Sequence, residues 1–235
     1  MIQTIIAIQL PILLSSQIST SSAPSALSAR ETLKRAAEAR YVLPSDLSAL
    51  YARFVITDDE GELRGSIAWT KADGLKVTVV GTGERAEDYQ RRVESLIQHR
   101  LPGDFDQGDG KHNLTWTGND NLIGKQIALN DAMNSMYRVN GDAVVEVDRT
   151  LGDTRLIVSV VDFEKLASGK NLPKAMVVSY FDAASGALKR TETLLDGYRD
   201  QDGVLVPSSR RVYISEGGAL RTFEIALRDV RLDRK

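Results

Sequence analysis

The sequence predicts an α+β domain: a strongly curved antiparallel sheet or open half-barrel with two main helices. Three observations predict it. Apolar residues alternate with period two along most of the chain, glycine-bearing turns separate these runs, and only two segments keep helical spacing. A length of 235 residues suits one β-rich domain. Hydrophobic residues at 42% and charged residues at 26% are ordinary for a globular chain and exclude global disorder.

The N-terminus comes first. No charged side chain precedes Arg30, although the chain holds 30 Lys+Arg and 32 Asp+Glu. Ile5 to Leu14 is mostly apolar and too short for a bilayer, which needs about 20 apolar residues. Ser- and Thr-rich and then small residues follow, as in a secretory signal peptide. Residues 1–27 are therefore expected to be a signal peptide or leader, and residues 28–235 a single domain. The protein is expected to be exported, periplasmic or extracellular, with a cytoplasmic location as the alternative.

Ser28 and Glu31 fit a capping box and start a helix over about Ala29–Tyr41, which Pro44 stops. Leu50, Ala52, Phe54 and Ile56 then alternate, as do Leu63, Gly65, Ile67 and Trp69, and Leu75, Val77 and Val79. Turns at Asp58–Gly61 and Asp73–Gly74 make these an antiparallel meander. Ala86, Tyr89, Val93, Leu96 and Ile97 form the stripe of a second helix over about Glu84–Arg100. Residues 103–125 carry no regular pattern. Strands resume from Met136, and those at Leu156–Val161 and Ala175–Phe181 are apolar on both faces, the pattern of central strands covered on each side. Four strands end the chain at 175–181, 187–195, 204–214 and 219–232. Apolar parity shifts in the last one, which places a bulge near Arg228–Asp229.

Composition excludes several chemistries. A net charge of -2 lacks the basic footprint of a nucleic-acid binder. The absence of cysteine rules out disulfides, thiolate nucleophiles and cysteine-ligated zinc, and two histidines cannot make a histidine-rich metal site. Gly81-Thr-Gly83-Glu-Arg-Ala86 has the spacing of a dinucleotide turn, but the chain then runs into a loop at Leu101–Asp104, so a plain turn into a helix is expected. Asp104 to Thr115 misses the calcium-loop pattern at its fifth, sixth and twelfth places. His99 is expected to sit charged at a helix C-terminus. Arg210 and Arg211, and Arg228, Arg231 and Arg234, read as solvated strand faces. No catalytic residue, metal or cofactor is expected.

Ala29-Arg30-Glu31, Ala39-Arg40-Tyr41, Ile97-Gln-His99-Arg100, Tyr137-Arg-Val139 and Gly203-Val-Leu-Val-Pro207 resemble a bacterial family, domain of unknown function 3386, over most of residues 29–232. That family supplies no catalytic residues. Asp182-Ala-Ala-Ser-Gly186, Leu188-Lys-Arg190 and Val204-Leu-Val-Pro207 are more loosely similar to half-barrels of the lipoprotein-localisation-factor type. This second likeness implies a carrier of acyl chains.

The function expected is therefore a non-catalytic, exported binding protein with an apolar cavity for a lipid, acylated or other hydrophobic ligand. Phe54, Ile56, Ile67, Trp69, Val158, Val160, Met176 and Tyr180 are the expected wall. The alternatives are a protein-interaction or assembly factor, and a hydrolase-type enzyme using His99 or His112. Neither a nucleic-acid partner nor an integral membrane segment in the mature chain is expected.

Overall fold

The computed structural model describes residues 27–234. The expected leader, apart from Leu27, lies outside the described residues, as do its cleavage and export.

The first helix, α1 (Ala29–Ala39), forms where the capping box predicts it. Ser28 Oγ accepts from the Glu31 amide, and the Glu31 carboxylate accepts from the Ser28 amide. Leu33 and Ala36 face inward. The helix ends with Arg40 in extended backbone, short of Pro44. β1 (Leu47–Asp58), β2 (Gly61–Thr70) and β3 (Gly74–Val79) make the expected meander. Gly81 and Gly83 then take φ of 131° and 92°, conformations that suit glycine, and turn the chain into α2 (Glu84–Gln98). β3 is an edge strand paired antiparallel with β2, so the parallel unit of a dinucleotide fold is not built.

The stretch expected to be irregular, 103–125, contains a short 3-10 turn, Asp109–Lys111, and one small strand, β4 (Thr115–Trp116), and a second, β5 (Lys125–Ala128), starts at its end. β6 (Met136–Asn140), β7 (Ala143–Leu151), β8 (Thr154–Lys165), β9 (Asn171–Asp182), β10 (Leu188–Gln201), β11 (Val204–Glu216) and β12 (Ala219–Arg234) follow as hairpins. The bulge expected near Arg228–Asp229 is present. Tyr51 pairs with Arg231 while Arg53 pairs with Arg228, and Asp229 takes φ 48° to hold the one extra residue.

All twelve strands form one open, curved sheet in the order β3-β2-β1-β12-β11-β10-β9-β8-β7-β6-β5-β4. β1 pairs with β12, so the two ends of the strand sequence meet inside the sheet, while β3 and β4 lie on opposite edges. The connections out of α1 and out of α2 must therefore cross one face in opposite directions. They cross at the same end: the Leu43 amide donates to Arg100 O at 2.7 Å, and the Tyr41 amide to Asn171 O at 2.8 Å.

Both helices lie on that face, over separate cores. α2 buries Val93, Leu96 and Ile97 against β1–β3, β11 and β12, with Tyr89 edge-on to Phe223 at 5.1 Å. α1 buries Leu33 and Ala36 against Ile127 and Leu129, at and just beyond β5, and Tyr137 of β6. Gly65 is required in the first core. A Cβ there would stand 2.2 Å from the Phe54 ring, which crosses it.

Candidate functional site

The eight expected wall residues share a face but not a neighbourhood. Registers across β1, β2 and β12 put Phe54, Ile56, Ile67 and Trp69 on the helix-bearing side, and α2 seals them there, each at most 6% exposed. They are packed core. Val158, Val160, Met176 and Tyr180 are half-buried and lie between the helices. Val158 pairs with Val178, and Val160 with Met176; Leu156 pairs with Tyr180.

Strands β7–β10 thus form the floor of a trough. α2 flanks it on one side, and α1 with the 103–114 segment on the other. The crossing connections close one end. Here the structure departs from the sequence expectation that β8 and β9 are covered on each side. No helix lies on the far face among the described residues, and on the near face the two helices stand over the sheet's flanks. Apolar residues on both sides of β8 and β9 consequently remain at least partly exposed, apart from Leu172 at the closed end of β9 and Val178, at 1% and 9% exposure. The two grooves with a measurable volume lie elsewhere than on this floor. A groove of about 590 Å³ on the far face is lined by Asp58, Arg64, Arg211 and Glu224, and one of about 330 Å³ lies between Leu27 and Trp116.

Charged side chains ring the trough. At the closed end, the Asp196 carboxylate is fully buried and is shared by Arg100 and Arg210; Arg210 binds it through two hydrogen bonds of 2.6 and 2.8 Å. Arg210 is 5% exposed, which corrects the expectation of a solvated strand face. The parity of β11 puts it inside, where Arg210 pairs with Ile225. On the α2 side, Arg92 grips both oxygens of Glu192 at 3.1 and 3.2 Å. Arg190 approaches the same carboxylate at 3.2 Å and stacks over the Tyr180 ring at 4.2 Å. On the α1 side, Arg149 meets Asp109 at 3.2 Å and donates to Tyr137 Oη. Burial and Arg100 lower the pKa of Arg40, which Tyr137 and Asp109 in part counteract. Burial pushes the phenols of Tyr137 and Tyr180 above their ordinary range and keeps them neutral.

His99 sits at the C-cap of α2 with Nδ1 2.8 Å from Ser95 O. Burial, together with Arg100, Arg40 and Arg210, holds its pKa below the ordinary imidazole range, so the charged state expected from the helix end is disfavoured. His112 caps the 3-10 turn instead. The calcium-like segment is tied down internally: Asp104 accepts from the Asp106 amide, and Asp106 pairs with Arg30 and Lys34. Among the described residues no cluster of three metal-ligating side chains occurs, and no helix is long and apolar enough to cross a membrane.

Comparison with solved structures finds five matching chains, three of them described next. A Vibrio parahaemolyticus domain described as an outer membrane lipoprotein-sorting protein has 9% identity and TM-score 0.34, covering 87% of this chain and 92% of its own. A DUF1329 family protein from Desulfovibrio piger has 10% identity and TM-score 0.28, with coverages of 87% and 92%. MucB in complex with MucA(peri) has 9% identity and TM-score 0.20, with coverages of 88% and 99%. No curated protein matches. A family model described as protein of unknown function, DUF3386, matches residues 25–232, nearly the whole of the sheet and both helices, and the chain belongs to that family.

Proposed function

We propose that the protein is a non-catalytic binding protein whose trough takes the apolar part of a lipid, acylated or other hydrophobic ligand. One observation carries this reading: an apolar strip in the middle of the sheet, between two well-packed cores, is left half-exposed on the face that carries both helices. Val158, Val160, Met176 and Tyr180 are its contact residues. Phe54, Ile56, Ile67 and Trp69 hold the scaffold beside it. Burying one methylene contributes about 0.8 kcal/mol. A chain of about ten methylenes therefore offsets a cost of association near the lower end of its range of about 4–15 kcal/mol.

The reading includes export, supported by the charge-free stretch before Arg30, and the division into a leader over 1–27 and one domain over 28–235. Native mass spectrometry of gently purified protein tests binding. A co-purifying apolar ligand, or a mass shift on adding long-chain amphiphiles, is expected. Neither a ligand nor a response to any amphiphile would sink the reading.

A further inference from the structure

The β4–β5 connection carries side chains that its turn does not require. Asn121 and Gly124 exchange backbone hydrogen bonds, N to O, at 3.1 Å in each direction, and the Ile123 amide donates to Asn121 Oδ1 at 3.0 Å. Asn in the first place and Gly in the fourth supply the turn, and polar residues are the usual filling between them. Here the two middle residues are Leu122 and Ile123. Leu122 is 95% exposed, more than any other large apolar side chain among the described residues, and Ile123 is 37% exposed. Leu151, Leu188 and Leu220 are exposed too, but each stands alone at a separate hairpin end, which is ordinary.

The tip is pinned from below and its backbone is satisfied from within. Arg138, 5% exposed, donates to Asn119 O at 2.8 Å and to Gly124 O at 3.1 Å. The amides of Thr117, Asn119 and Gln126 donate to Gln126 O, Thr117 Oγ1 and Asp120 Oδ1. A Cβ on Gly124 would stand 2.4 Å from Val139 O, so the hairpin lies flush on β6. Such a tip can leave water without stranding these polar groups, which is the condition a lipid environment imposes. Beside it, Trp116 is 38% exposed, and Lys125 Nζ lies over its ring at 5.8 Å. An exposed indole with a lysine over it suits the headgroup level of a bilayer.

We propose that the β4–β5 hairpin docks the protein on a lipid surface, with Leu122 and Ile123 entering the acyl boundary and Trp116 and Lys125 at headgroup level. The position of Leu27 favours lipid over a protein partner. Leu27 is 47% exposed and shares the groove of about 330 Å³ with Trp116, Gly124 and Lys125. The sequence that joins the described residues there is the charge-free stretch containing Ile5–Leu14. The twelve residues from Ser15 to Ala26 reach at most about 43 Å when extended, so that stretch and the hairpin can meet one bilayer. Shape favours the same occupant. A protruding pair of side chains needs a complementary pocket in a protein and none in fluid lipid. The larger groove that a second copy offers is lined by Asp58, Arg64, Arg211 and Glu224, a charged setting for leucine. Charge at the tip is balanced, because Asp120 and Lys125 are the only ionic side chains between Trp116 and Gln126. Docking is therefore by apolar insertion and needs no anionic lipid. The hairpin lies at the sheet edge opposite β3, outside the trough, and neither site needs the other.

The test titrates the full chain with vesicles of neutral phosphatidylcholine whose acyl chains are brominated. The chain holds two tryptophans, and Trp69 is 6% exposed beneath α2, so quenching by the vesicles reports Trp116. Quenching is expected, with vesicle affinity changing by less than about twofold between low and high salt. Leu122→Asp should weaken vesicle binding at least about tenfold, and Leu122→Ala by less. At so exposed a site both variants should unfold thermally as the parent does. Leu122→Asp should also leave dodecyl maltoside binding in the trough unchanged, which keeps the two sites distinguishable. Absence of vesicle binding would overturn the proposal. Vesicle binding that Leu122→Asp leaves intact would assign it to residues 1–26 and overturn the hairpin's role. A change in the sedimentation of the lipid-free protein on Leu122→Asp would make the tip a contact between copies and overturn the choice of lipid.

Discussion

Asp196 is the residue on which the closed end of the sheet turns. Its carboxylate is out of reach of solvent and neutralises only one of the two buried arginines that bind it. Tyr198 joins the group, accepting from Arg100 and donating to Pro173 O at 3.2 Å. Asp196→Asn would strand two buried cations and should cost about 3–5 kcal/mol. Arg210→Met leaves the Asp196–Arg100 pair intact and replaces a cation by an apolar side chain of similar volume, so its cost should be clearly smaller. Urea unfolding of both variants checks the order, and the reverse order would mean that the carboxylate is not what holds the group together. Asp58 gives a pH prediction at the same scale. Burial would raise its pKa, but hydrogen bonds from Arg85 and Tyr89 and the Glu60 amide overcome this and lower it. A carboxylate depressed in the folded state adds stability above its unfolded pKa, and that stability is lost as pH falls through the folded value. Unfolding free energy should therefore decline below about pH 4, and Asp58→Asn should flatten part of the decline, as acid titration monitored by circular dichroism would show.

Local signals decide the elements. Ser28 and Glu31 place the start of α1 because a capping box is complete within four residues, and Ser28→Ala should destabilise by about 1 kcal/mol in thermal unfolding. Gly65 matters for a reason outside its own strand. The Phe54 ring and Thr78 O occupy the space of a side chain there, so Gly65→Val should destabilise severely, through overpacking of about 1–3 kcal/mol or more, whereas the same change at the open turn of Gly74 should act only through its positive φ. The bulge at Asp229 was legible because apolar parity must change when a strand gains residues on one side. Other features were not legible. β4 and β5 are too short to show a period, so their stretch reads as loop. Arg210 reads as surface because parity along β11 is visible only once its partner Ile225 is known to face inward. The floor of the trough spans four strands and no sequence window holds it; register alone assembles it.

At the scale of the whole molecule, the trough follows from topology. A sheet whose first and last strands pair internally puts β3 and β4 at opposite edges, and each helix covers one flank, α2 that of β1–β3 and α1 that of β4–β7. Twelve strands are too wide for helices of 11 and 15 residues to roof, because helices of about 17 and 23 Å stand over a sheet about 50 Å across. Apolar composition in β8 and β9 identified these strands as unusual, but composition does not say whether such side chains meet a neighbour. That depends on where the helices land. The eight residues singled out from the sequence therefore divide into two groups with opposite expected behaviour. Phe54→Ala removes a ring that is 1% exposed beneath α2 and should cost about 3–5 kcal/mol of stability. Val158→Trp adds volume over an open floor, where no packed neighbour resists it, and should change stability by less than about 0.5 kcal/mol, as a surface substitution does. In a dodecyl maltoside titration the pair should invert. Folded Phe54→Ala protein should keep its affinity for the probe, and Val158→Trp should lose most of it, because the indole lies across the path of the chain. A Val158→Trp protein that unfolds as readily as Phe54→Ala would show the floor to be packed, and one that binds normally would place the ligand elsewhere.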